Sequence, residues 1–249
     1  MCFLIQGLSQ LNEVAAAVNG RPVREEFLNF KDLNEKDGSI YKRMETDGKT
    51  FPGTFSLVTI EQNKENLILP MRYRLRPHDS QEEVPSKYNV FNARRDSLLT
   101  RKTWAPLVGK NHGIFVMKKF YEWVRSGSGE DSKDAKRKLI GIYPTKNDLM
   151  YVPCLYDRWR DPVSGEYFYS FAVLTDGPPD EILEAGHDRC PIHLDKDHIS
   201  EWLHTSKRRS FKEWDSILDH KSDEYFEYVE DYKIERKKKA QDDKQLRLI

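Results

Sequence analysis

GIFVMKKFYEWV, residues 113–124, is the stretch that decides how this chain folds. It is dense in aromatic and β-branched side chains and free of proline, so it reads as a strand with a buried face. Alternation along it points Phe120 and Glu122 to one side. Similar runs lie on either side. Residues 54–61 follow a Phe51-Pro52-Gly53 turn, and residues 66–74 read as a strand that Pro70 assigns to an edge or a bulge. Downstream, residues 139–143, 149–156 and 166–175 give three more strands. Helical periodicity marks residues 9–18, capped by Ser9 and ended by Asn19-Gly20, and more weakly residues 24–36. Pro178-Pro179 opens a short helix ending near Gly186, and residues 195–203 and 206–218 are amphipathic. Polar residues 76–88 and 126–137 are loops. The pattern is α+β with a mainly antiparallel sheet.

Composition narrows the function. The 249 residues allow one domain or two. No apolar run reaches the roughly 20 residues that span a bilayer, no basic leader is present, and Asn12 and Glu13 interrupt the segment at residues 11–19, so neither a membrane anchor nor a secretory signal is expected. Cys2, Cys154 and Cys190 include no CxxC pair, which predicts reduced thiols, a cytoplasmic location, and no metal or other cofactor. Acidic and basic residues balance at 41 each, so contact with nucleic acid has to come from local clusters. Arg94, Arg95, Arg101 and Lys102 form one, residues 207–209 another and residues 236–239 a third.

Four separated pieces carry chemistry. Removal of Met1 would leave Cys2 with an α-amine and a thiol on adjacent carbons, and only such a pair forms an imine with an aldehyde and then closes a thiazolidine ring. Phe91-Asn92-Ala93-Arg94 offers an amide that donates and accepts, beside a guanidinium suited to phosphate. Glu122, flanked by Tyr121 and Trp123, is a carboxylate placed for acid–base work. Gly186-His187-Asp188-Arg189-Cys190-Pro191 adds a proton shuttle and a second guanidinium. Each piece alone also has an ordinary reading: Cys2 as a small second residue, Asn92-Ala93-Arg94 as a basic surface loop, Glu122 as an exposed strand-end glutamate and His187 as a structural loop histidine.

Their order is the informative part. Met-Cys, a Pro-Gly turn at Pro52, Asn-Ala-Arg at residue 92, Glu-Trp at residue 122 and His-Asp-Arg-x-Pro at residue 187 together resemble the SOS response-associated peptidase family, over residues 2–203. The resemblance implies a single domain, residues 1–233, with a strongly bent, barrel-like sheet and peripheral helices. It implies a groove for single-stranded or junction DNA containing abasic sites. Carried over, Cys2 is the nucleophile that crosslinks to the sugar, Asn92 positions its amine, and Glu122 and His187 move protons. Arg94 and Arg189 hold phosphates, with Lys102 assisting. Lyase activity and self-removal of Met1 are further implications.

The chain departs from the family pattern. Phe3-Leu4 replace the usual Gly-Arg after the cysteine. The Trp-Gly segment is replaced by Met71-Arg72-Tyr73-Arg74-Leu75-Arg76-Pro77, where Tyr73 or Leu75 would take over stacking on a base and Arg72, Arg74 and Arg76 would contact phosphates along one face. No closing strand is evident near residue 230. Residues 234–249 read as a flexible basic tail, and its last five, with Gln245, Leu246, Leu248 and Ile249, resemble a peptide that binds the replication sliding clamp. Two other functions fit the same residues: an N-terminal-nucleophile amidase or thiol peptidase, and a DNA-binding module without catalysis.

Overall fold

In the computed structural model, which describes residues 2–36, 39, 41–126, 136–146, 149–222 and 226–229, the described strands share one sheet. They are β1 (Leu4–Gly7), β2 (Gly20–Pro22), β3 (Lys49–Thr50), β4 (Phe55–Gln62), β5 (Glu65–Tyr73), β6 (Asn92–Arg94), β7 (His112–Ser126), β8 (Lys136–Pro144), β9 (Met150–Arg160), β10 (Tyr167–Asp176), β11 (Cys190–Pro191) and β12 (Phe226–Val229). Five of them close a barrel in the order β10, β5, β4, β7, β9 and back to β10; only the β10–β5 seam is parallel. Closure removes the open edges that an antiparallel sheet otherwise exposes. The single α+β domain with a bent, mainly antiparallel sheet is therefore present.

Side-chain alternation fills both faces of the wall. Val58, Met71, Phe115, Met117, Val152, Cys154, Phe171 and Val173 pack inside the barrel. Their neighbours Leu57, Ile114, Val116, Tyr151, Leu155, Ala172 and Leu174 face outward, onto a second core with Trp104, Trp202 and Trp214. Helices α1 (Leu11–Val18), α4 (Ile199–Leu203) and α5 (Phe211–Ile217) cover that outer face; α2 (Arg24–Glu35) and α3 (Asp180–Glu184) complete the set. Gly113 lets β7 and β9 approach closely, because a Cβ there would sit 2.9 Å from the Cys154 sulfur. Packing is thus the role of Cys154.

One irregularity in β7 sets up the rest. Gly7 pairs with Met117 but Gln6 pairs with Lys119, so Lys118 is an extra residue, a β-bulge. Phe115 and Met117 face the barrel interior before it, and Phe120 and Val124 after it. The bulge shifts the inward parity from odd to even numbers and so turns Glu122 inward.

Several expectations need correction. Pro70 is not on an edge strand: β5 pairs with β4 along its length and, on its other side, with β2 at Asn66–Ile68 and with β10 at Met71–Tyr73. Pro70 falls between those two partners, where a missing N–H breaks no ladder bond. A closing strand does exist near residue 230, because β12 pairs with β8. The helix expected over residues 206–218 starts only at Phe211, where Ser210 and Glu213 form a capping box. The first turn of residues 195–203 is a 3₁₀ turn, and Gln10, not Ser9, precedes α1. The tail from residue 234, with its clamp-like peptide, and most of the loop at 126–137 lie outside the described residues. Among the described residues no helix is long and apolar enough to cross a membrane.

Candidate active site

Cys2 lies at one end of the barrel interior, fully buried and packed in the inner core. Strand β1 brings it there. Leu4 pairs with Tyr121 on β7, next to Glu122, and the chain bends at Phe3 so that Cys2 enters the inner core while Phe3 stays exposed. Glu122, turned inward by the bulge, is 2% exposed. Its carboxylate accepts a hydrogen bond from the Cys2 thiol. Burial first, and then this carboxylate, pushes the thiol well above its usual pKa, so it stays protonated at neutral pH.

His187 arrives from the opposite side. Helix α3 ends at Glu184, and Gly186, with a φ of +89°, lets the chain turn sharply back. His187 Nε2 lies 2.8 Å from Glu122 Oε2. Its Nδ1 is 2.7 Å from the Arg189 carbonyl oxygen and 3.1 Å from the Arg189 nitrogen. The shorter contact is to a carbonyl oxygen, which only accepts, so Nδ1 donates there and Nε2 is the nitrogen that faces the Glu122 carboxylate. Cys2, Glu122 and His187 form one hydrogen-bonded chain.

The fourth residue, Asn92, starts β6, which lies parallel to β10. It is buried, and its Oδ1 is 3.3 Å from the Tyr73 hydroxyl. That hydroxyl donates to the Cys2 carbonyl oxygen at 2.7 Å. Tyr73 ends β5 inside the barrel and has no exposed surface, nor has Leu75. Neither can stack on a base, which corrects that expectation: both face the core. The exposed aromatic beside Cys2 is Phe3, resting edge-on against Phe51 and Phe91.

The arginines divide into two groups. Arg94 is exposed and grips Asp96, and Arg189 reaches the same Asp96 Oδ2 at 3.7 Å. Two guanidiniums thus converge on one carboxylate oxygen, the arrangement in which arginines also bind phosphate oxygens. Arg94, Asn92, Arg101 and Lys102 line a cleft of about 830 Å³ together with Lys87, Tyr88, Glu82 and Glu83. Arg72 and Arg76, by contrast, are buried on the barrel wall. Both pair with Glu83, Arg72 lies over the Phe168 ring and Arg76 over Trp159. Arg74 donates to the Val84 carbonyl at φ +147°, a strained value for a residue with a Cβ. Their expected row of phosphate contacts is not there, because these side chains instead pin the 76–90 loop. Arg95, in the same basic cluster as Arg94, is consumed by Asp215, Asp219 and Asp176. Asp96 and Tyr73 are the members that reading the sequence missed in these roles. The Asp two positions after Arg94 was visible; the hydroxyl of Tyr73 was not, since only the fold brings it to Cys2. Among the described residues no His, Cys, Asp and Glu group could hold a metal.

Residues 13–236 match the family model described as SOS response associated peptidase (SRAP). The chain belongs to the SRAP family. It is 24% identical over 216 residues to the abasic site processing protein HMCES of Pongo abelii, covering 78% of this chain and 61% of that one. It is 30% identical over 154 residues to the abasic site processing protein YoqW of Bacillus subtilis, covering 61% and 64%. The matched part thus spans less than two thirds of these SRAP relatives. A solved protein of Bacteroides thetaiotaomicron superposes with a TM-score of 0.68 at 17% identity, over 92% of this chain and 91% of that one, which establishes a shared fold.

Proposed function

We propose that this chain captures abasic sites in single-stranded or junction DNA by forming a covalent crosslink at Cys2. The observation that carries the reading is the hydrogen-bonded chain from the Cys2 thiol through Glu122 to His187, with 2.8 Å between the last two. It is supported by relatives named abasic site processing proteins and by the cleft that Asn92, Arg94 and Lys102 share.

Met1 leaves first, because an amide nitrogen has no lone pair to offer an aldehyde. Self-cleavage by the same centre accounts for this step. The freed α-amine then attacks the aldehyde carbon of the ring-opened sugar. The carbinolamine loses water, with the proton supplied by the His187–Glu122 pair, and an imine forms. The thiol, held protonated by burial, acts second: its sulfur bonds to the imine carbon, its proton passes through Glu122 to the nitrogen, and the five-membered ring closes. The net change is one water lost. Loss of the 3′ phosphate by elimination from the imine would make the same centre a lyase. Arg94 and Arg189 exchange Asp96 for the flanking phosphates. Because Cys2 has no exposed surface, capture requires its surroundings to open toward the DNA. The cytoplasm suits such a thiol, and the peptide ending at Ile249 would tether the domain to the sliding clamp.

The test is a denaturing gel. Wild type incubated with an oligonucleotide carrying one abasic site gives a band resistant to denaturation, and Cys2→Ala gives none. Equal crosslinking by Cys2→Ala overturns the proposal.

A further inference from the structure

A hydroxyl has one proton to give. Tyr73 lies 2.7 Å from the Cys2 carbonyl oxygen and 3.3 Å from Asn92 Oδ1. A carbonyl only accepts, so the proton goes to Cys2. The second contact then needs Asn92 to donate. With Oδ1 toward Tyr73, the amide leaves Nδ2 buried with no acceptor among the described residues. Turning the amide by half a rotation mends the Tyr73 contact: Nδ2 donates to the Tyr73 oxygen, and the carbonyl oxygen takes the orphaned position, ready to accept.

From this geometry we infer that Tyr73 is a positioning residue for the N-terminal aminothiol: it fixes the Asn92 amide so that its oxygen, not its NH₂, faces the α-amine of Cys2. The difference is chemical. An oxygen there accepts an N–H from the amine and leaves the nitrogen lone pair free for the aldehyde. An NH₂ there would donate to the lone pair and block the attack. Tyr73 also holds the Cys2 carbonyl, so both ends of the residue are set by one phenol. Its burial, with Cys2 and Glu122 nearby, raises its pKa well above the usual value, so it remains a donor at working pH.

The inference rests on the proposed capture reaction, and its experiment separates the two. Tyr73→Phe keeps the ring against Phe91 and Phe171, whose centroids lie 5.6 and 5.3 Å away, and removes only the oxygen. Both proteins are made with Cys2 exposed by an external protease, and intact mass confirms that each begins at Cys2. The rate of adduct formation with an abasic oligonucleotide is then followed from pH 5 to 9. Tyr73→Phe lowers the plateau rate about tenfold, the size of one hydrogen bond to a reacting group. The acid limb also moves to lower pH, because an amide free to present NH₂ favours the neutral amine over the ammonium. A purely structural loss lowers the rate without moving the limb, and that result overturns the inference, as does an unchanged rate. If wild type itself forms no adduct, the capture reading fails instead.

Discussion

His112 and His187 are both buried, 2% and 8% exposed; His112 opens β7, and His187 follows the turn after α3. Their neighbours separate them. His112 Nε2 accepts from the Gly109 N–H at 2.8 Å, its Nδ1 lies 2.9 Å from the Trp202 carbonyl, and its ring stacks on Trp202 at 3.7 Å. Both nitrogens are satisfied by backbone, and burial drives its pKa down to about 3. His187 spends one nitrogen on backbone and turns the other to the Glu122 carboxylate, which also holds the Cys2 thiol. A buried histidine tied to amides is a strut. One tied to a carboxylate that meets a nucleophile can move a proton.

The contrast breaks most sharply at the carboxylate. Glu122→Gln keeps the shape of the site but not its acid–base capacity, and the rate of crosslinking falls about 100-fold or more, while DNA affinity from a filter-binding titration is unchanged. His187→Gln follows the same pattern with a smaller loss. An equal loss of affinity would mean that the pair serves binding, not chemistry.

At the other histidine the effect is on stability. His112→Ala removes a ring stacked on Trp202 and leaves the Gly109 N–H without its acceptor, and urea unfolding reads a loss of about 3 kcal/mol. Acid sharpens the same point. The folded pKa of His112 is depressed from 6.5 to about 3, so the unfolded chain binds the proton first. Its contribution is fully present above pH 6.5 and is lost as pH falls, at about 1.4 kcal/mol per pH unit down to about pH 3. A stability profile flat between pH 6.5 and 4 contradicts that.

Smaller effects distinguish the two arginine groups. Arg94→Ala and Arg189→Ala each weaken binding to single-stranded DNA about fivefold, and each reduces the salt slope by about 0.7. Arg72→Ala destabilises the chain by about 1–2 kcal/mol through its lost Phe168 and Glu83 contacts, and leaves the salt slope alone. A lowered slope for Arg72→Ala would return it to the DNA surface.

Much of this was legible before the fold. Strand identity survived because aromatic and β-branched runs reported buried walls, and Cys2, Asn92, Glu122 and His187 stood out through their order along the chain, which resembles the family pattern, and not through any one of them alone. What failed depended on partners far along the chain. Pro70 suggested an edge, yet two different strands leave a gap at that residue. Arg72, Arg74 and Arg76 alternate like a basic face, and only Glu83, Phe168 and Trp159 reveal that they are consumed inside. The bulge at Lys118 is likewise set by β1, which pairs across more than 100 residues of chain. The two histidines carry no local mark that tells one from the other.

The measurement closest to the central claim is intact mass spectrometry of the Met1-free chain after incubation with an abasic single-stranded oligonucleotide. The account predicts a species weighing the sum of the two molecules less one water, with peptide mapping placing the joined sugar on residue 2. An adduct mapped to a lysine, or no mass change under conditions where the DNA is bound, contradicts it.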